Sequence, residues 1–103
     1  DSPWVTGGET CELVLALDAC GRRDEALGLF ADIQRLRVDD GSYWTGYVYP
    51  DATFWPVEQA TWTAGTVLLV VDALTRTTAA NGLFRGESLP ALTGDVEACS
   101  CPT

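Results

Sequence analysis

Carboxylates, tyrosines and cysteines must carry any chemistry in this chain, because its 103 residues include no histidine. Asp39 and Asp40 are adjacent, and neighbouring carboxylates in a poorly solvated cavity mouth raise each other's pKa, which suits a general acid. Glu58 is a third candidate acid. In the alternative interpretation Asp39 and Asp40 belong to a solvated turn with Gly41, and Glu58 serves the positive end of the following helix.

Aromatic residues surround these carboxylates. Residues 37–55 form a predicted loop that is rich in glycine, aspartate and aromatic rings, and loops of this length are often functional. Ring faces attract cations, so the rings in and just after this loop are candidates for a lining that stabilises a carbocation. They also suit plain packing between the loop and the helices. The candidate binding residues are Tyr43, Trp44, Tyr47, Tyr49, Trp55 and Trp62.

The net charge of the chain disfavours two classes of ligand. Fifteen acidic residues against six arginines give a net charge of −9, which disfavours nucleic acid and anionic membranes as ligands. No apolar run approaches the roughly 20 residues of a membrane span, so we predict a cytoplasmic protein without a transmembrane segment.

Cys11 and Cys20, on one predicted helix, are about 13 Å apart and cannot form a disulfide. Because Cys99 and Cys101 lack zinc-site spacing relative to them, we expect no metal and no cofactor.

Helical patterns frame the loop on both sides. Thr6-Gly7-Gly8-Glu9 matches a capping box at a helix start, and Gly21 follows the helix end. Apolar residues occupy all sides of this first helix, which predicts an inner, buried helix. Residues 24–36 carry one apolar stripe and predict an outer helix. A second inner helix is predicted for 62–74, a short poor helix for 77–84, and an irregular end after it.

The two helical regions are related by an internal repeat. A shift of 54 positions aligns residues 15–30 with 69–84 and gives eight identities in sixteen positions. Such a period indicates a repeated pair of one inner and one outer helix. Asp18 and Asp72 occupy equivalent positions in the two copies, which favours a structural role for both. Two copies leave apolar flanks open, so further repeats or another chain are expected to cover them.

Two stretches carry a family resemblance. Asp40-Gly41-Ser42-Tyr43-Trp44 and Trp55-Pro56-Val57-Glu58-Gln59-Ala60-Thr61-Trp62-Thr63-Ala64 resemble the bacterial prenyltransferase or squalene-cyclase-like family, whose members are α/α toroids. The resemblance covers about residues 4–89 and implies a central apolar cavity that binds isoprenoid chains. The family's Asp-x-Asp-Asp acid is incomplete here, since Arg37 stands where its first aspartate belongs.

The sequence therefore predicts an all-α fold of helical hairpin repeats from an α/α toroid, with residues 1–89 in a partial toroid and 90–103 as an irregular tail. The expected function is that of a prenyltransferase or terpene-cyclase-like protein, or a fragment of one. Its expected ligand is an isoprenoid or another apolar small molecule. Two alternatives stay open: a carbohydrate-active α/α toroid enzyme, because carboxylates and tryptophans also suit sugars, and a non-catalytic helical-repeat module that binds protein.

Overall fold

The computed structural model describes residues 3–87, and three α-helices are its largest elements: Gly7–Ala19 (α1), Arg23–Asp32 (α2) and Thr61–Thr75 (α3). Short 3-10 turns follow at Ile33–Leu36 and Leu83–Arg85. α1 lies in the middle and packs against both α2 and α3. No helix within residues 3–87 is long and apolar enough to cross a membrane.

A small antiparallel sheet accompanies the helices, so the prediction of an all-α fold is wrong and the architecture is mixed α/β. Its strands are Trp4–Thr6 (β1), Gly46–Val48 (β2) and Thr53–Phe54 (β3), in the order β1-β2-β3. Aromatic and β-branched residues, which favour strands, dominate all three. Because each strand has only two or three residues, none shows the alternation that reveals a strand in a sequence.

The helix bounds agree closely with the sequence pattern. The expected outer helix is present, although its last turn, Ile33–Leu36, tightens into a 3-10 helix. Its predicted stripe faces inward, with Ala26, Ile33 and Leu36 buried. Residues 77–84 form no α-helix, and the only regular element near their end is the 3-10 turn Leu83–Arg85. The predicted tail from residue 90 onward lies outside the described residues.

The start of α1 differs from the predicted capping box. The Thr6 hydroxyl donates to the carboxylate of Glu9, and it makes no bond to a backbone N–H of the helix. The N–H of Gly7 instead donates to the carbonyl of Thr45, at 3.0 Å. A distant loop, rather than a local side chain, therefore satisfies this first backbone donor of α1.

The end of α1 follows the glycine signal. Gly21 has a φ of +78°, a conformation that costs glycine little. Its N–H donates to the carbonyl of Asp18, and the N–H of Arg22 donates to the carbonyl of Leu17. These two bonds make a Schellman motif, which reverses the chain into α2.

α1 and α3 run parallel, because residues near their first turns are in contact and residues at their last turns are ion-paired. A Cβ built on Gly7 would lie 3.0 Å from the Thr63 side chain, so the two helix starts approach closely. At the other end the Asp18 carboxylate, whose side chain is 2% exposed, accepts bonds from Arg76 at 2.7 and 3.0 Å. Arg85 adds a further bond at 3.2 Å.

Asp18 and Asp72, equivalent in the repeat, both have the structural role expected of them, but their partners differ. Asp72 accepts bonds from the backbone N–H and the hydroxyl of Thr78, each at 2.7 Å. It thus caps a local turn, whereas Asp18 joins two helices. Arg76, which Asp18 holds, ends α3 with a φ of +55°, a left-handed conformation that costs a non-glycine residue about 1–2 kcal/mol.

The prediction that α1 and α3 are buried on all sides is wrong for the described residues. Leu13 of α1 is 50% exposed, and Leu68 and Leu69 of α3 are 70% and 47% exposed. The buried side of α3, which includes Val67, Val70 and Leu74, packs toward α1. The opposite side of α3 presents an exposed apolar surface, which includes Leu68 and Leu69.

The described cysteines are both free. Cys11 is buried in the core, and burial raises the pKa of its thiol to about 11. Cys20, in contrast, is exposed at the end of α1. The predictions for Cys99 and Cys101 fall outside the described residues.

We predict that Asp18→Asn lowers the free energy of unfolding at pH 7 by about 2–4 kcal/mol, because it removes the buried charge that Arg23, Arg76 and Arg85 share. Hydrogen bonds from Arg76 lower the pKa of Asp18 below its ordinary value of 3.8. Its stabilising effect is therefore complete above pH 3.8 and disappears as the pH falls through the folded-state pKa.

Urea unfolding of the wild-type and variant proteins from pH 7 to pH 2 measures both effects. Glu12→Gln, on the exposed side of the same helix, is the matched control and is expected to change stability by less than about 0.5 kcal/mol. Equal stability of Asp18→Asn and Glu12→Gln at pH 7 would contradict the structural role of Asp18.

Candidate functional site

The predicted carboxylates lie in loops at the adjoining N-terminal ends of α1 and α3. Thr45 connects these loops to both helix starts. Its N–H donates to the carbonyl of Glu58 at 3.1 Å, and its own carbonyl accepts from the N–H of Gly7 at 3.0 Å. The aromatic loop therefore crosses the ends of the two parallel helices, where their positive dipole ends lie.

Asp40 is held in a turn of its own. Its Oδ1 accepts from the N–H of Ser42 at 2.9 Å and lies 2.6 Å from the Ser42 hydroxyl oxygen. Gly41 between them has a φ of +90°. This is the aspartate turn of the alternative interpretation. The bonds from the Ser42 hydroxyl and N–H lower the pKa of Asp40, so at neutral pH it is a carboxylate and not a proton donor.

The turn also contacts the loop that leads into α3. The Ser42 hydroxyl oxygen lies 2.9 Å from Oε1 of Gln59. Since a hydroxyl carries one proton, it donates to either Asp40 or Gln59 at a given moment. The neighbour of Gln59, Glu58, is exposed, and its Oε1 is 3.4 Å from the Thr45 hydroxyl. Hydrogen bonds thus join the Asp40 turn to the Glu58 segment, whereas Asp39 is simply exposed beside it.

The six predicted aromatic residues do not share one environment. Tyr43 is buried, and its hydroxyl donates to Oε1 of Gln34 at 2.8 Å. Trp44 stacks on Phe54 with ring centroids 5.2 Å apart, and Tyr47 contacts the same ring edge-on. Tyr43, Trp44 and Tyr47 thus pack the loop onto the helices, which is the alternative that the sequence left open.

The remaining three aromatic residues are exposed. Tyr49 is 44% exposed and faces the guanidinium of Arg35 at 5.1 Å, a cation–π contact. Trp62 is 52% exposed at the start of α3. Its ring rests on the backbone of Gly8, where any added Cβ would overlap the ring. Trp55, the third, is 56% exposed.

Trp4 joins Trp55 as an exposed aromatic residue that the sequence pattern did not reveal. The two ring centroids are 5.4 Å apart, and Nε1 of Trp4 donates to the carbonyl of Trp55 at 2.8 Å. Trp4 precedes α1 by three positions and lies far in the chain from the aromatic loop. Only the pairing of β1 with β2 brings it to Trp55.

No group of three or more cysteine, aspartate and glutamate side chains within residues 3–87 is placed to hold a metal ion. The arrangement can move protons through carboxylates and can present aromatic faces to a ligand.

Comparison with known proteins identifies a different chemistry from the one the resemblance implied. No family model matches the sequence. The chain is 56% identical over 104 aligned residues to the MMP endo-(1,4)-3-O-methyl-alpha-D-mannosidase of Mycolicibacterium hassiacum. The alignment covers 100% of this chain and 29% of that protein, so the chain spans less than a third of the relative's length.

The relative's name is that of a carbohydrate-active enzyme, and this overturns the expected membership of the prenyltransferase or squalene-cyclase-like family. The expected isoprenoid ligand is corrected with it. The error has a physical origin: exposed aromatic rings offer an apolar face to any ligand with a row of C–H groups. An aromatic loop beside carboxylates therefore suits a sugar as well as an isoprenoid.

We predict that Ser42→Ala raises the pKa of Asp40 toward its ordinary value of 3.8, while the remaining bond from the backbone N–H keeps it lower. Carbon-detected NMR titration of the side-chain carboxyl groups measures this directly. Thr53→Ala, which removes a hydroxyl from the sheet, is the control and leaves the titration of Asp40 unchanged. A titration of Asp40 that is the same in Ser42→Ala and wild type would show that the hydroxyl has no effect.

We also predict opposite effects for two helical glycine substitutions. Gly8→Ala forces the Trp62 ring from its place and lowers the free energy of unfolding by about 1–3 kcal/mol. Gly28→Ala, which meets open space on α2, raises it by about 0.5–1 kcal/mol. Thermal unfolding compares the two, and tryptophan fluorescence reports the displaced ring. A destabilisation of equal size in both variants would contradict the contact between Gly8 and Trp62.

Proposed function

We propose that this chain belongs to a glycoside hydrolase that cleaves α-(1,4)-linked chains of 3-O-methylmannose. The observation that carries the proposal is the 56% identity, along the whole chain, to a protein named as an endo-acting mannosidase of that specificity. A substrate of this kind is uncharged, so a net charge of −9 does not oppose its binding.

The carboxylates at the helix starts suit the two roles that glycoside hydrolysis requires. Most glycosidases use one carboxylic acid to protonate the departing glycosidic oxygen and one carboxylate on the other side of the sugar ring. Asp40 is held ionised by Ser42, which supports the carboxylate role. Glu58 lies in the segment that Gln59 joins to the Asp40 turn, and we assign it the other role, that of the proton donor. Asp39, next to Asp40, adds a further carboxyl group to this site.

Exposed aromatic residues would hold the sugar rings near these carboxylates. Trp55 lies three positions before Glu58, and Trp62 lies four positions after it. Both are more than half exposed, so their faces are open to a ligand. Tyr49 is exposed as well, but its ring already contacts the Arg35 guanidinium. We therefore assign it to the edge of the sugar-binding surface. The loop is held on the hydrophobic core by Trp44 and Tyr47, which are partly buried, and by Tyr43, which is buried.

We predict that Glu58→Gln and Asp40→Asn each lower kcat on an α-(1,4)-linked 3-O-methylmannose oligosaccharide by about 100-fold or more, because each removes one of the two carboxyl groups that the reaction requires. Chromatography with mass spectrometry of the products measures hydrolysis by the intact protein. Glu12→Gln on α1 is the matched carboxylate-to-amide control and keeps wild-type activity. Absence of hydrolysis by the wild-type protein, or full activity of both Glu58→Gln and Asp40→Asn, would refute the proposal.

A further inference from the structure

The open face of the small sheet carries an aromatic site that shares Trp55 with the proposed sugar-binding surface. Trp4, Val48 and Thr53 are cross-strand neighbours on β1, β2 and β3, so their side chains project from the same face. Trp55 follows β3 directly, and Asp51 lies in the turn between β2 and β3. These five residues line an open depression of about 360 Å³.

The tryptophan pair in this depression is held in one arrangement. The bond from Nε1 of Trp4 to the carbonyl of Trp55 fixes the first ring, and the planes of the two rings meet at 68°. Gly46 lies beneath them, where an added Cβ would come within 2.7 Å of that same carbonyl oxygen. A binding surface that is ordered before its ligand arrives loses less entropy on binding.

The same rings are nevertheless open to water. Trp4 is 46% and Trp55 is 56% exposed. Since the one polar atom of the Trp4 side chain is already bonded within the protein, the surface that Trp4 presents is apolar. Rigid, exposed apolar surface with a polar rim is typical of a binding site. Asp51 and Thr53 provide that rim, with a carboxylate that accepts hydrogen bonds and a hydroxyl that donates or accepts them.

We propose that Trp4 and Trp55 form a sugar-binding subsite that holds one O-methylated pyranose ring, with the hydroxyl groups of the sugar bonded to Asp51 and Thr53. This inference rests on the proposed function. The C–H face and the methyl ether of the sugar pack against the indole rings, and a methyl ether adds apolar contact that a hydroxyl does not. The site disfavours phosphorylated ligands, because Asp51 and the acidic chain repel anions.

The subsite is connected to the candidate acid through the start of β2. The carbonyl of Gly46 accepts from the N–H of Trp55 at 3.0 Å. Thr45, the residue before Gly46, donates its N–H to the carbonyl of Glu58 at 3.1 Å. Two consecutive residues, Thr45 and Gly46, therefore hold the backbone of Glu58 and the backbone of Trp55.

Binding is best measured in the Glu58→Gln background, where turnover does not consume the ligand. Tryptophan fluorescence and NMR titration follow the binding of an α-(1,4)-linked 3-O-methylmannose oligosaccharide to the intact protein. We expect Trp4→Ala and Trp55→Ala each to raise Kd about tenfold. Trp4→Phe keeps a ring but loses the indole N–H, and we expect a rise of only about threefold. Leu27→Ala, at a similarly exposed apolar residue of α2, is the control and leaves Kd unchanged.

The methyl group gives a second, independent measurement. The unmethylated α-(1,4)-linked mannose oligosaccharide is expected to bind the Trp4-containing protein about fivefold more weakly, because one methyl contact is lost. This preference is expected to disappear in Trp4→Ala and Trp55→Ala. Circular dichroism establishes that each variant is folded, and Trp4→Phe provides the test if Trp4→Ala does not fold.

The outcomes separate this subsite from the proposed function. Unchanged Kd in folded Trp4→Ala and Trp55→Ala overturns the subsite, even if the wild-type protein hydrolyses the mannoside. Binding that is lost in both variants supports the subsite, even if the wild-type protein hydrolyses nothing, in which case the hydrolase function alone is refuted. Absence of any binding to the Glu58→Gln and wild-type proteins overturns the subsite as well.

Discussion

The ion pair between the buried carboxylate of Asp18 and the guanidinium of Arg76 is the interaction on which the arrangement of the helices depends. It joins the last turns of α1 and α3, which are separated by more than fifty residues of chain. At the opposite ends the glycines of α1 allow the backbone to approach Trp62 and Thr63. The ion pair at one end and the close backbone approach at the other thus fix the alignment of the two parallel helices, whose apolar sides pack between them.

Parallel packing of α1 and α3 has a direct effect on the site. It places two helix starts side by side, so the chain between the helices must return along the full length of the pair. The returning segment supplies both the aspartate turn and the strands β2 and β3, and Thr45 ties it to the start of each helix. The carboxylates gather where they do because this return path ends at the start of α3.

The parts of the molecule that are local in sequence could be predicted. The stripe through Ala26, Ile33 and Leu36, the glycine after α1 and the aspartate turn all depend on residues a few positions apart, and all three were found where the pattern placed them. The pairing of β1 with β2 and the partnership of Trp4 with Trp55 depend on contacts across forty or more positions. No periodicity in three-residue strands reports such contacts. The ligand class was mistaken because aromatic side chains show that a face is apolar without showing which molecule it meets.

The shape of the depression on the sheet determines how a polymer can bind there. The depression is shallow, and its described lining, from Trp4 across to Asp51, lies on an open sheet surface. A closed pocket would accept only the terminus of a chain, whereas a surface of this kind lets a polysaccharide lie across it with residues extending at both ends. Such an open surface is consistent with the proposed function, in which cleavage falls within the interior of a chain and not at its tip.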